Sequence, residues 1–177
     1  MPADRNLPDP RDRSAEALAQ LINAYNGIVR GLPPRRPGPW GFFSFFKLTR
    51  HDVGGERLTL QRLERRIQTH GDPRIHFAIN CGASSCPPIR EYLADRLDAQ
   101  LDLATRAYLA TPVGYRVDEA ARTLYVSRLF RWYRREFGDP LAFIRRHVGD
   151  DERLALDRLG PAPRVAYLPW DWTPAGH

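Results

Sequence analysis

The stretch from Asp72 to Arg90, which reads DPRIHFAINCGASSCPPIR, constrains the fold more than any other part of the sequence. It contains both cysteines of the chain and one of its five histidines. Residues 74–81 alternate between apolar and polar side chains, which predicts a half-buried strand. Residues 82–85 then predict a turn. Because proline is favoured in the first turn of a helix, the two prolines that follow predict a helix beginning directly after Cys86.

A cysteine at a helix N-terminus is a candidate nucleophile, because unpaired N–H groups and the helix dipole stabilise its thiolate. We predict Cys86 as the nucleophile, His76 as its general base, and Asp171 or Glu64 as the carboxylate that orients the imidazole. The two prolines after Cys86 lack N–H groups, which leaves the Cys86 N–H and the Ser84-Ser85 turn as oxyanion-hole donors. This pattern predicts a cysteine-dependent hydrolase or acyl-transferase that acts on an amide or thioester bond of a small molecule or peptide.

A second group of polar residues fits either substrate binding or a structural role. In the predicted strand, Arg74, His76 and Asn80 share one face. Asn23 and Asn26 lie in the first predicted helix, and the predicted substrate-binding set is Arg74, Asn80, Asn23 and Asn26. Arg74 either binds a carboxylate or phosphate with both nitrogens or pairs with Glu64 to fix the fold. The alternative function is therefore a non-catalytic binding or scaffold domain with a structural polar core, in which both cysteines are small buried hydrophobes.

Metal binding by this stretch is the weakest of the interpretations. His76, Cys81, Cys86 and Glu64 could each supply one ligand, but the spacing of the first three is not a common zinc pattern. In the predicted strand, His76 and Cys81 also point to opposite faces. We therefore predict no metal and no cofactor. The spacing leaves open whether the two cysteines pair.

Composition bears on the remaining classes of function. The formal charge is +6, but Lys47 is the only lysine among 27 basic residues, which is typical of codon usage in a GC-rich genome. No nucleic-acid motif accompanies this charge, so we predict no nucleic-acid partner. The chain has no apolar run that would span a bilayer and no signal peptide as given, which favours a cytoplasmic protein unless the N-terminus is truncated. For the aromatic residues 42–46 we favour core packing over an exposed partner surface. The sequence does not identify a protein partner.

Hydrophobic periodicity predicts a chain in which helices dominate. Residues 1–14 are expected to form a flexible tail, and residues 15–177 a single globular domain. The class is α+β, a small sheet flanked by several helices. Ser14 and Thr59 are predicted to cap helices, and the other predicted elements are helices over 91–109, 127–137, 139–148 and 151–159, a hairpin over 111–126, and a strand over 164–168.

Several motifs together resemble one known family. They are NAYN at 23–26, LTLQRLE at 58–64, the stretch from Asp72 to Arg90, VSRLFRWYRREFG at 126–138, and VAYLPWDW at 165–172. This set resembles the domain-of-unknown-function family numbered 547, over residues 18–173. The resemblance implies no established activity, substrate or cofactor. The chain departs from the family pattern at Arg65, where a histidine is usual, and at Trp170, where a tyrosine is usual.

Overall fold

The computed structural model describes residues 7–32 and 39–174. This described part of the chain combines eight α-helices with a two-stranded and a three-stranded sheet, so the predicted α+β class is confirmed. The chain divides into two compact units, residues 1–101 with 171–177 and residues 102–170. That residues 15–177 form one domain, and that residues 1–14 form a flexible tail, remain predictions. Residues 1–6 of that tail lie outside the described residues.

Two capped helices form the core of the first unit, α1 (Ala15–Gly31) and α3 (Leu60–Gln68). The Ser14 hydroxyl accepts a hydrogen bond from the Ala17 N–H at 3.1 Å. The Thr59 hydroxyl accepts one from the Arg62 N–H at 3.3 Å, so both predicted caps are confirmed. Each helix buries an apolar face, and their buried apolar side chains are Ala17, Leu18, Ala19, Leu21, Ile22, Tyr25, Val29, Leu60, Leu63 and Ile67.

A short helical segment and a hairpin lie between α1 and α3. The segment comprises α2 (Pro39–Phe43) and a π-helical turn (Ser44–Leu48). The Thr49 N–H closes that turn by donating to the Ser44 carbonyl at 3.0 Å. The hairpin pairs β1 (Arg50–Val53) with β2 (Glu56–Thr59).

The turn of this hairpin consists of two glycines. Gly54 and Gly55 have φ angles of 60° and 81°. Glycine adopts this left-handed conformation without a steric penalty, and such two-residue turns match the twist of the flanking strands.

The predicted strand over residues 74–81 is wrong. Residues Pro73–Phe77 form a 3₁₀ helix, and the Asp72 carboxylate caps it by accepting a hydrogen bond from the Arg74 N–H at 2.9 Å. An Asp-Pro pair is a helix start signal, since aspartate caps and proline suits the first helical position. The alternation was misleading because all of residues 75–80 are buried. Arg74, His76 and Asn80 therefore do not share a strand face.

The predicted helix directly after Cys86 is wrong as well. Residues 87–93 form neither helix nor strand, and a 3₁₀ turn (Ala94–Arg96) precedes α4 (Leu97–Leu109). Proline disfavours the helical conformation of the residue before it, so two consecutive prolines hold the chain extended. Cys86 is consequently not at a helix N-terminus.

The second unit contains the three-stranded sheet. Its central strand is β4 (Thr123–Val126), which pairs antiparallel with β3 (Tyr115–Asp118) and parallel with β5 (Arg164–Tyr167). Leu124 and Val126 of β4 are fully buried. The predicted hairpin and the predicted final strand are both confirmed.

Four helices accompany this sheet. The predicted helix over 127–137 is divided at Tyr133 into α5 (Arg128–Trp132) and α6 (Arg134–Phe137). The two helices that follow, α7 (Pro140–His147) and α8 (Asp150–Arg158), are confirmed within two residues at each end. None of the described helices of the protein is both long and apolar enough to cross a bilayer.

Candidate functional site

Several of the residues that the sequence singled out lie in or against an irregular segment, residues 78–92, which we call the central segment. Apart from an isolated bridge at Ala83, it contains neither helix nor strand. Much of it is nevertheless buried, including Asn80, Ser85 and Tyr92 at 3%, 1% and 1% exposure. Buried backbone groups without ladder partners need side-chain partners. The central segment obtains several of these from the predicted asparagines.

Asn26 holds the start of the central segment. Its side-chain amide donates to the Ala78 carbonyl at 2.8 Å, and its side-chain oxygen accepts from the Asn80 N–H at 3.1 Å. Asn26 is itself 2% exposed. Both functional ends of this side chain are therefore used by main-chain groups.

Asn23 holds the end of the central segment in the same manner. Its amide donates to the Tyr92 carbonyl at 2.7 Å, and its oxygen accepts from the Tyr92 N–H at 2.9 Å. Residues three apart on a helix lie on one face, so α1 presents Asn23 and Asn26 together. The two asparagines of the NAYN motif thus bind the two ends of the central segment.

Asn80 makes the same type of contact within the segment. Its amide donates to the Pro87 carbonyl at 2.6 Å, and its oxygen accepts from the Gly82 N–H at 2.6 Å. These bonds close the loop that carries the two cysteines. Of the predicted substrate-binding residues, Asn23, Asn26 and Asn80 all bind main-chain atoms.

The two cysteines lie within this loop and form a disulfide. Cys81 and Cys86 are joined with a Cα–Cα distance of 6.3 Å. Cys86 Sγ also accepts a hydrogen bond from the Cys81 N–H at 3.2 Å. Both residues are half-buried, and Gly82 between them has a φ angle of 80°. The sequence interpretation had left this pairing open.

Ser84 and Ser85 connect the loop to residues 171–174. The N–H groups of Ser84 and Ser85 donate to the carbonyls of Thr173 and Asp171 at 2.9 and 3.3 Å. In return, the Asp171 N–H donates to the Ser85 hydroxyl at 2.8 Å. The Cys86 N–H donates to the Ala83 carbonyl at 2.9 Å. All three N–H groups predicted as oxyanion-hole donors are therefore already bonded to carbonyls.

Asp171 is close to the loop through its backbone, while its carboxylate is bonded elsewhere. The side chain is exposed and accepts hydrogen bonds from the Thr173 hydroxyl and, at 2.8 Å, from the Thr173 N–H. These bonds hold the pKa of the Asp171 carboxyl below its ordinary value of 3.8. The carboxylate is thus ionised at neutral pH.

His76 and Glu64, the predicted base and an orienting carboxylate, are both buried, at 2% and 5% exposure. His76 lies in the 3₁₀ helix over 73–77, and Glu64 lies on α3, which packs against that helix. The Glu64 carboxylate accepts a hydrogen bond from the Gln68 amide at 3.2 Å. Both groups are therefore part of the interior of the first unit.

Arg74 is bonded to two acidic residues. Its guanidinium is 2.7 Å from Asp72 Oδ2 and 2.7 Å from Asp98 Oδ1. Asp98 is 88% exposed and Arg74 is 19% exposed. An anionic ligand at Arg74 would have to displace one of these carboxylates.

The sequence offers His76, Cys81, Cys86 and Glu64 as candidate metal ligands. Over residues 7–32 and 39–174, no group of three or more His, Cys, Asp or Glu side chains is arranged to hold a metal ion. The disulfide also removes both sulfurs from the donor set, since a thiolate is the form that binds metal.

Two contributors to this site were missed by the sequence interpretation, Tyr92 and the hydroxyl of Ser85. The aromatic body of Tyr92 is buried, and its hydroxyl makes no hydrogen bond with the described residues. Burial raises the pKa of Tyr92 to about 12. A tyrosine two residues after the Ile-Arg pair carries no motif, so only the contacts of Asn23 reveal its role.

The clamp at Asn26 makes a direct prediction. Asn26→Ala leaves the Ala78 carbonyl and the Asn80 N–H buried without partners, which should lower the free energy of unfolding by about 3 kcal/mol. Gln20→Ala, on the exposed face of the same helix, should change it by less than about 0.5 kcal/mol. Urea denaturation measures both, and equal values for the two variants would contradict the clamp.

The unpaired hydroxyl of Tyr92 predicts a pH effect. The pKa of Tyr92 in the folded protein is about 12, against an ordinary value of 10.0. The contribution of the protonated hydroxyl to the free energy of unfolding is therefore complete below pH 10 and is lost as the pH rises towards 12. The unmodified protein should lose on the order of 2 kcal/mol of unfolding free energy across this window. Tyr92→Phe should remove this pH dependence and should be as stable as the unmodified protein at neutral pH. Tyr108→Phe is the matched control: its pKa is also about 12, but its hydroxyl lies 3.0 Å from Ser127 Oγ, so this variant should be less stable at neutral pH. Denaturation at several pH values tests the pair.

One of three comparisons with known proteins found a match, and it covers three of the five motifs, those at 23–26, 58–64 and 72–90. A family model described as "Protein of unknown function, DUF547" matches residues 11–109, a range that includes α1, α3 and the whole central segment. No curated protein and no solved structure matches the chain. Because the model covers more than half of the 177 residues, the resemblance is confirmed and the chain belongs to the DUF547 family.

Proposed function

We propose that this protein is a non-catalytic binding or scaffold domain in which the predicted site residues build a structural polar core. The observation that carries this proposal is that every N–H group predicted as an oxyanion-hole donor already donates to a carbonyl. The N–H groups of Ser84, Ser85 and Cys86 bond to the carbonyls of Thr173, Asp171 and Ala83. A donor already committed to a carbonyl is not preorganised for charge that develops in a transition state.

The asparagine contacts support the same function. Asn23, Asn26 and Asn80 each use the oxygen and the nitrogen of the side chain on main-chain groups. An amide that is bonded at both ends to main-chain groups cannot turn towards a ligand without breaking those bonds. Because the buried main-chain groups need these amides as partners, the three asparagines fix the path of the central segment. The segment therefore holds the Cys81–Cys86 loop in one shape.

A cysteine-dependent hydrolase or acyl-transferase is the second candidate, and one observation favours it. Cys86 Sγ accepts the Cys81 N–H at 3.2 Å, and a hydrogen bond to sulfur stabilises a thiolate once the disulfide is reduced. In this candidate His76 is the base, Glu64 or Asp171 is the orienting carboxylate, and Arg74 binds the substrate. The disulfide argues against the predicted cytoplasmic location, because disulfides persist mainly in oxidising compartments.

Thiol titration separates the two candidates. Cys81→Ser leaves Cys86 as a single thiol, and Cys86→Ser leaves Cys81 as its matched control. A structural role predicts that both thiols react with iodoacetamide as ordinary thiols, with a pKa near or above about 8.5. A Cys86 thiol that reacts well below this pH, and loses that property in a further His76→Gln variant, would overturn the structural role and support the nucleophile.

A further inference from the structure

Charge is distributed unevenly along the chain. Residues 17–51 contain no acidic residue, whereas the whole chain has 21. The same stretch contains five of the 27 basic residues, and the remainder of the chain is close to neutral, with 22 basic against 21 acidic residues. Nearly all of the net charge of +6 therefore belongs to this stretch, which we call the acid-free stretch.

The same stretch exposes large apolar side chains. Trp40, Phe43 and Leu48, which we call the apolar patch, are 74%, 37% and 55% exposed. Trp40 has the highest exposure of any large hydrophobic residue in the described part of the chain. The prediction that residues 42–46 pack in the core holds for Phe46, at 8% exposure, but not for Phe43.

Two of the three side chains of the patch are in direct contact. Trp40 and Phe43 are three residues apart on α2 and stack with ring centroids 5.6 Å apart and an interplanar angle of 20°. The π-helical turn that follows packs against α3 and β2, and buries Phe46. The patch is therefore anchored to the first unit while its own side chains remain in solvent.

One basic group contacts the patch, and a second follows the patch closely in sequence. Lys47 Nζ lies 5.2 Å from the centre of the Phe43 ring, and Arg50 is exposed at the start of β1. Tryptophan and phenylalanine favour the boundary between lipid headgroups and acyl chains, and nearby Lys and Arg are attracted to anionic headgroups. Leu48 has no π-face for a base, so an apolar bilayer fits the patch better than a nucleic acid.

We propose that the apolar patch and its basic border bind the surface of a bilayer that contains anionic lipid. Trp40, Phe43 and Leu48 insert at the headgroup boundary, and Lys47 and Arg50 contact the anionic headgroups. The bilayer is bound from one side and is not crossed. This function is separate from that of the central segment, because none of these residues takes part in the asparagine contacts.

Co-sedimentation of the full chain with lipid vesicles tests this proposal. Vesicles of phosphatidylcholine with phosphatidylserine should bind the protein, and binding should weaken as salt is raised. Trp40→Ser should reduce the partition coefficient about tenfold. Lys47→Glu with Arg50→Glu should reduce it by more than fivefold for each charge, since removal of one basic charge alone is worth about fivefold.

Matched variants keep the result specific. Leu48→Ser should weaken binding, while Leu154→Ser, at a leucine that is 58% exposed in the second unit, should not. Arg96→Glu with Arg106→Glu, at side chains that are 72% and 63% exposed, is the charge control and should retain most of the binding. Equal binding to pure phosphatidylcholine vesicles, equal losses in the controls, or binding to a single-stranded oligonucleotide without binding to vesicles would overturn the proposal.

Discussion

The structure of the first unit depends on one requirement, that a buried segment without regular structure must satisfy its backbone hydrogen bonds. A helix or strand satisfies these groups by its regular pattern of hydrogen bonds, but residues 78–92 form neither over most of their length. Asparagine suits this task because one side chain carries both a donor and an acceptor. Asn26 and Asn23 hold the two ends of the segment from one helix, and Asn80 closes the loop between them. An unpaired buried amide or carbonyl costs about 1–3 kcal/mol, so these contacts are a large share of a domain's stability.

Local signals explain which parts of the fold could be predicted from the sequence. Ser14 and Thr59 combine a capping side chain with an apolar period of 3.6, and both helices were correctly placed. The strand predicted over residues 74–81 is wrong because residues 75–80 are all buried. In such a stretch, alternating side chains no longer distinguish a strand from a 3₁₀ helix. The Asp72-Pro73 pair carries the correct signal, that of a helix start. The disulfide depends on a loop path that long-range contacts with α1 determine, and sequence spacing does not report such contacts.

Several residues that the sequence singled out lie in or against the central segment. Asn23, Asn26, Asn80, Ser84 and Ser85 all contact this segment or belong to it. Their chemistry, however, is directed at main-chain atoms rather than into solvent. This difference explains how a motif can look catalytic in sequence while its polar groups stabilise a loop. The apolar patch and its basic residues lie apart from these contacts, and their side chains, such as those of Trp40 and Lys47, face solvent.

Native-state hydrogen exchange tests the central claim most directly. The amides of Asn80, Gly82 and Tyr92 donate to side-chain oxygens of Asn26, Asn80 and Asn23. If these contacts hold the segment, the three amides exchange slowly, at rates close to those of the α1 core, although they belong to no helix or strand. Exchange at the rate of an unstructured loop would show that the asparagines do not hold the central segment.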